Sequence, residues 1–160
     1  MTIRGYRPAD LAAVLDIQRE NRAAGCWAED DYARLANDPH GFILVAGKEN
    51  LTPPQVVGFA AYRSVTEDAE LLNLAVTPGQ QRRGVGSALV RAGVERLREK
   101  GARRVWLEVR ESNHGAREFY RRIGFVQQGR RPDYYNDPCE DALLLELEFQ
   151  RQSSQLLGRR

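Results

Sequence analysis

The chain has 160 residues and a formal net charge of +2, from 24 basic and 22 acidic side chains. That length supports one sizeable core rather than two, and 42% hydrophobic with 29% charged residues excludes disordered, collagenous and disulfide-scaffold classes. The near-balanced charge supplies no large basic surface that would call for direct nucleic-acid binding, and leaves room only for a local patch.

In chain order, residues 3–7 read as a short strand closed by Pro8, which has no backbone donor and suits the first turn of a helix. Leu11, Val14, Leu15 and Ile17 then recur at helical spacing as far as Ala23-Ala24-Gly25, and a second short helix fits 29–35, closed by Asn37-Asp38-Pro39. Three apolar runs, 42–46, 56–62 and 71–76, read as adjacent strands whose short connections suit antiparallel hairpins. After Gly86, the residues Leu89, Val90, Gly93, Val94 and Leu97 share one broad face of a long helix, with Gly101 suited to the left-handed position beyond its end. A strand at 105–109, a cap at Ser112-Asn113, a helix at 116–123 stopped by Gly124, and strands at 125–130 and 142–149 complete the order β-α-α-β-β-β-α-β-α-β-β.

That order gives an α/β fold, α+β under some labelling schemes, with a mixed sheet flanked by helices in a single domain over residues 1–149. Residues 150–160 are polar and read as a frayed tail. Cys26 and Cys139 lie far apart without a CxxC pair or a histidine set, so free thiols and no metal are expected. Met1-Thr2-Ile3-Arg4-Gly5 lacks the apolar core of a signal peptide, and no apolar run reaches bilayer length; a cytoplasmic protein with no membrane partner is the expectation.

The segment Gln81-Arg82-Arg83-Gly84-Val85-Gly86-Ser87 joins the strand ending at Val76 to the long helix. The first amides of a helix have no internal partner, the aligned peptide dipoles place positive charge there, and glycine allows an anion to come close. A P-loop would need Gly-Lys-Ser/Thr, and a dinucleotide fingerprint would need a third small residue where Leu89 stands. On these residues alone, a tightly packed helix start fits as well as a phosphate cradle.

Two spaced motifs separate those readings. Gln81-Arg82-Arg83-Gly84-Val85-Gly86 resembles the cofactor motif Gln/Arg-x-x-Gly-x-Gly/Ala of the GNAT superfamily of N-acetyltransferases. The downstream run from Asn113 through Ala116 and Tyr120 to Gly124-Phe125 resembles the Asn-x-x-Ala-x-x-x-Tyr-x-x-x-Gly-Phe segment of the same superfamily. The resemblance covers residues 3–149. It implies a central seven-stranded sheet with about four helices, and acetyl-CoA as cofactor with no metal. It also implies cofactor contacts from Leu74, Ala75 and Val76, from residues 81–87, and from Asn113 and Tyr120. The pantetheine arm is then expected between the strand carrying Leu74-Ala75-Val76 and the strand carrying Glu108, which should splay apart.

Acetyl transfer to an amine needs a neutral nucleophile, stabilisation of a developing oxyanion and a proton for the departing thiolate. No Ser-His-Asp or Cys-His set is legible, in agreement with direct attack in a ternary complex. The resemblance places the Tyr120 phenol beside the cofactor sulfur as general acid, where the alternative is an ordinary packed tyrosine. Glu108 shares a strand face with Trp106, which sets a carboxylate beside a large apolar ring; a base and a surface ion-pair partner are the two readings. His40 and His114 have no partners in sequence and read as solvated or capping residues.

Trp106-Leu107-Glu108-Val109-Arg110-Glu111-Ser112-Asn113, with Tyr134-Tyr135 and Glu140-Asp141-Ala142, resembles the ribosomal-protein-alanine N-acetyltransferase (RimI) group within that superfamily. That resemblance implies Glu108 as base and Tyr120 as acid. It also implies a protein N-terminus as acceptor, with a ribosomal protein beginning with alanine in view, and Trp27, Tyr134 and Tyr135 as residues on the acceptor side. Cys26 stands where proline commonly precedes the tryptophan, and Asn136-Asp137-Pro138-Cys139 departs from a glycine-containing turn, so the acceptor loops differ from the group's pattern. An acetyltransferase acting on a small amine (polyamine, amino acid or antibiotic) is the alternative enzyme. A non-catalytic acyl-CoA-binding module is a third reading, against which Glu108 and Tyr120 argue.

Overall fold

The computed structural model describes residues 1–149; the segment 150–160, read above as a tail, lies outside the described residues. Strand β1 spans Thr2–Gly5 and stops short of Arg7. The cause is Asp10, which is buried and whose carboxylate accepts from the Arg7 amide at 2.7 Å and from both terminal nitrogens of Arg4 at 2.7 and 2.9 Å. These bonds turn the chain out of the sheet into a 3₁₀ turn, Pro8–Asp10, and then into α1, Leu11–Glu20. Helix α2 follows at Glu29–Asn37.

Strands β2 (Gly41–Lys48), β3 (Gln55–Val65) and β4 (Asp68–Val76) form the antiparallel meander that their apolar runs imply. Helix α3 (Val85–Glu99) crosses to β5 (Arg104–Arg110), and α4 (His114–Ile123) leads to β6 (Val126–Tyr135) and β7 (Glu140–Glu148). Gly101 and Gly124 take the left-handed conformations, φ +91° and +119°, that end α3 and α4. The seven strands lie in the order β1-β2-β3-β4-β5-β7-β6, and β4–β5 is the parallel pair. Among the described residues the result is the mixed α/β fold with four α-helices that the element order implies. Among the described residues, no helix is long and apolar enough to cross a membrane.

Each face of the sheet has its own core. Leu89, Val90, Val94 and Leu97 of α3, with Tyr120 of α4, pack over Tyr62, Leu71, Val105 and Leu107. Val14 and Ile17 of α1, with Tyr32 and Leu35 of α2, pack over Ile43, Val45, Phe59 and Ala75. This second layer covers β2 to β4 and leaves the same face of β5, β7 and β6 without a helix above it. Helix α3 sits so close to β3 that a Cβ on Gly93 would lie 2.2 Å from the Tyr62 ring, and Tyr62 Oη donates to the Leu89 carbonyl at 3.1 Å. That contact fixes the height of the N-terminus of α3 against the sheet.

The site is made by a bulge and a parting of strands. Ala61 lies opposite Asn73 but Tyr62 opposite Leu71, so Leu72 is an extra residue that bends β4. Parallel pairing of β4 with β5 runs from Asp68↔Arg104 to Glu70↔Trp106 and no further. Beyond Glu70 the two strands diverge, as the resemblance implies.

Candidate active site

The backbone between β4 and α3 forms the first part of the site. Left-handed conformations at Arg82 (φ +59°) and Gly84 (φ +83°) wind it tightly into the helix start. Gly84 caps α3, and the amides of Arg82, Arg83, Gly84, Val85, Gly86 and Ser87 have no hydrogen-bond partner among the described residues. Six consecutive free donors at a helix N-terminus make a cradle whose geometry and dipole suit an anion. Gln81 plays a different part. Its own amide donates to the Pro78 carbonyl at 3.3 Å, and its side chain turns back to the Val76 carbonyl at 3.0 Å and Asn21 Oδ1 at 2.9 Å. Gln81 therefore anchors the cradle to β4, and the row of free amides begins at Arg82. Sequence reasoning did not single out Asn21, whose Nδ2 bonds Val76 O at 3.1 Å across 55 residues; the contact is tertiary and carries no local signal.

The second part is the open edge of β4. The Thr77 amide bonds the Val57 carbonyl at 2.8 Å, so by antiparallel alternation Ala75 and Asn73 also spend their backbone groups on β3. Leu74 and Val76 therefore direct theirs into the gap. Since Val76 O is already taken, the free groups are Leu74 N–H, Leu74 C=O and Val76 N–H. Across the gap, the Glu111 amide bonds Asp141 O at 3.2 Å, and the same alternation turns the backbone of Glu108 away from β7 and toward β4. Two facing rows of unpaired backbone groups suit an extended, amide-bearing ligand that adds itself between strands.

Tyr120 and Glu108 stand on opposite faces of this opening. Tyr120 belongs to the α3–α4 core, tilted against Phe119 and Phe125 at ring distances of 5.0 and 5.3 Å. Burial pushes its phenol above the ordinary value. Among the described residues, no buried polar side-chain atom is both sealed from solvent and unpartnered, and Tyr120 Oη takes no part in their hydrogen bonds, so the hydroxyl keeps an opening. Asn113 sets the helix that carries it: Oδ1 accepts from the Ala116 amide at 3.1 Å as the cap of α4.

Glu108 lies on the other face with Trp106, because Val105, Leu107 and Val109 point into the α3–α4 core. Its side chain is 12% exposed and meets Arg131 Nε at 3.3 Å. Tyr134 and Tyr135 close this side. Hydrogen bonding toward Glu108, then partial burial, raises the Tyr134 phenol, while burial and then the Glu108 charge push Tyr135 up to about 12. The two rings meet edge to face at 5.0 Å, and Tyr134 is 46% exposed.

The polar signature residues around Glu108 hold that hairpin in place. Glu140 accepts from the amide and hydroxyl of Ser112, both at 2.8 Å, and Arg130 joins Glu111 to Asp141, again at 2.8 Å each. Arg110 lies 4.2 Å over the Tyr135 ring. On the far side, Trp27 rests on Tyr32 at 5.1 Å, and Gln18 clasps both its amide (3.2 Å) and its carbonyl (2.9 Å). Trp27 therefore packs the α1–α2 loop onto the core edge. Arg131 and Glu70, both on the Glu108 face, went unnoticed in the sequence. Their placement depends on strand register, which local pattern does not reveal.

The chain also resembles known proteins in sequence and in fold. Residues 11–125 match the model of the acetyltransferase (GNAT) family. The chain is 32% identical to the [ribosomal protein bS18]-alanine N-acetyltransferase of Escherichia coli K12, over 91% of this chain and 96% of that protein. It is 34% identical to a Bacillus subtilis protein whose name assigns it the same activity provisionally, over 89% and 92% of the two chains. The crystal structure of the E. coli ribosomal-protein-S18-alanine N-acetyltransferase superposes with a TM-score of 0.80 at 30% identity, covering 97% of each chain.

Proposed function

The chain belongs to the acetyltransferase (GNAT) family and is an N-acetyltransferase, and from that premise we propose that it acetylates the N-terminal α-amine of a protein. The acceptor we have in view is a ribosomal protein beginning with alanine, met in the cytoplasm. The observation that carries this reading is the opening between β4 and β5. It sets a free backbone edge and six free amides on one side of a carboxylate and a phenol. These residues fit acetyl-CoA, the donor that the GNAT fold uses: 82–87 would hold the pyrophosphate, while Leu74 and Val76 would pair with the pantetheine amides.

When bound, acetyl-CoA supplies the acyl group and a thiolate leaving group. Glu108 would take one proton from the acceptor ammonium, freeing the nitrogen lone pair; as the C–N bond forms and the C–S bond breaks, Tyr120 Oη would give its proton to the departing sulfur and recover one from the nitrogen, which sheds its second proton in becoming the amide. Burial favours the neutral phenol, which keeps that proton in place. The helix-free face over β5, β7 and β6 leaves room for an extended chain, and Trp27 and Tyr134 stand at its two sides.

The experiment is a thiol-release assay with acetyl-CoA over alanine-starting peptides, a polyamine and an aminoglycoside, with mass spectrometry of the products. The expected result is acetylation of residue one of the peptide. A higher kcat/KM for a small amine, or acetyl on a lysine side chain, overturns the acceptor assignment.

A further inference from the structure

We propose that Glu70 is a second acidic residue of the acceptor site: together with Glu108 it receives the acceptor's α-ammonium, which replaces Arg131 at Glu108. This rests on the acetyl-transfer reading above and adds the group that binds the amine before it reacts.

Glu70 and Trp106 are the last paired residues of β4 and β5, so their side chains share a face, and Glu108 follows two residues later on that same face. The bulge at Leu72 brings Asn73 and Ala75, next along β4, onto the face lined by α1 and α2, so Glu70 sits at the border between the covered and the uncovered sheet. It is half-buried and makes no ion pair or side-chain hydrogen bond among the described residues. Its cross-strand neighbour Arg63 turns instead to Asp38, at 3.5 Å. A desolvated carboxylate without a cation is costly unless something supplies one.

The charged groups that bear on Glu70 are Glu108 from β5, Arg63 from β3 and Arg131 from β6; Tyr134 of β6 lies nearby. Burial first, then repulsion by Glu108, raises its carboxyl, against the pull of the two arginines. With Arg63 paired to Asp38, the two carboxylates Glu70 and Glu108 are left with one guanidinium between them, that of Arg131, and the pocket is net negative. Arg131 is half-exposed and comes no nearer to Glu108 than 3.3 Å, so it can swing to solvent. An entering ammonium then restores the same charge balance with a group small enough to present its nitrogen to the donor carbonyl. Glu70 is thus a positioning residue: Glu108 accepts the proton, and Glu70 holds the nitrogen that loses it.

The test compares two acceptors of one sequence, an alanine-starting peptide and its analogue bearing an aminooxy group, which is uncharged at neutral pH. Glu70→Gln should raise KM for the amine peptide by about tenfold, the scale of one hydrogen bond to a charged group, with acetyl-CoA affinity and the aminooxy KM unchanged. Glu70→Asp should restore part of the difference. Arg131→Gln should lower KM for the amine peptide, which keeps the proposal testable even if Glu70→Gln folds poorly. Equal loss on both acceptors, or none on either, overturns it. Failure of the unaltered enzyme to acetylate any peptide overturns instead the function on which the proposal rests.

Discussion

Gln81 donates its side-chain amide to the Val76 carbonyl at 3.0 Å, on the same oxygen that Asn21 reaches at 3.1 Å. These two bonds tie α1, β4 and the cradle into one unit, so their loss should loosen the free amides without removing a donor to the ligand. Asn21→Ala and Gln81→Ala should each weaken acetyl-CoA binding by roughly fivefold, about 1 kcal/mol. Because both act through one oxygen, the double variant should lose clearly less than the sum. Calorimetric titration of the four proteins checks this; full additivity would mean that the residues act separately.

Acetyl-CoA should raise Tm by mass action, since a ligand taken up only by the folded chain stabilises it. Arg82 and Arg83 are exposed beside the cradle and pair with no acidic side chain among the described residues. Arg83→Glu should therefore weaken binding by about tenfold at low salt and flatten its salt dependence, because exposed charges are screened. Gly86→Asp should abolish the Tm rise, and its Cβ would also press to 3.1 Å from Phe119 Cζ, next to Tyr120. The charge reversal at Arg83 is the cleaner probe, as it displaces nothing in the core.

Tyr120→Phe should lower kcat by about 10²–10⁴-fold with little change in acetyl-CoA affinity, the range for removal of one acid–base group. The Tyr120 phenol is held above its ordinary value by burial, so it stays protonated through neutral and mildly alkaline pH. The alkaline limb of the rate profile should then survive in Tyr120→Phe at reduced height. Glu108→Gln should lower kcat comparably, since it removes the proton acceptor. Unchanged turnover in both variants would remove these residues from the mechanism.

Much of this arrangement was legible before the fold. The glycines at 84 and 86, the long apolar face of α3 and the Asn113-to-Gly124 segment each announce themselves locally, because caps, left-handed turns and helical periodicity are short-range signals. The order of elements likewise implied the mixed sheet. What stayed hidden depends on register. Glu70 reads in sequence as one of several acids near a turn, and only its pairing with Trp106 puts it on the Glu108 face. The bulge at Leu72 reverses which residues of β4 face each layer, so simple alternation along 71–76 does not assign Asn73 to the α1–α2 face, where it bonds the Gly25 amide at 3.2 Å.

Asp10 gives a stability prediction away from the site. Burial opposes its charge, but the bonds from Arg4 and the Arg7 amide outweigh burial and hold the carboxyl below 3.8. A carboxyl depressed in the folded state adds stability that is complete above its unfolded value and is lost as pH falls through the folded one. Asp10→Asn should therefore lower Tm at pH 7, and the gap to the unaltered protein should narrow as pH drops below about 4. A gap that stays constant with pH would mean that packing, not charge, is what Asp10 contributes.

The last prediction concerns acceptor choice. An α-amine has a pKa near 8 against about 10.4 for lysine, so at neutral pH much less free energy is needed to make it nucleophilic. The geometry adds a second source of preference. Tyr134 is exposed, sits against Glu108 and Arg131, and can offer its hydroxyl to a peptide backbone. Tyr135 lies under Arg110 and supports the hairpin instead. Tyr134→Phe should therefore raise KM for an alanine-starting peptide severalfold, about the scale of one neutral hydrogen bond, and leave acetyl-CoA binding intact. Trp27 acts through its loop: Gln18 holds its backbone and Tyr32 its ring. Trp27→Ala should thus raise peptide KM together with some loss of Tm, and Gln18→Ala should reproduce both effects. A polyamine offers no backbone to Tyr134, so its weaker turnover should be insensitive to Tyr134→Phe. Equal sensitivity of peptide and polyamine would place Tyr134 in the support of Glu108 and not in acceptor recognition.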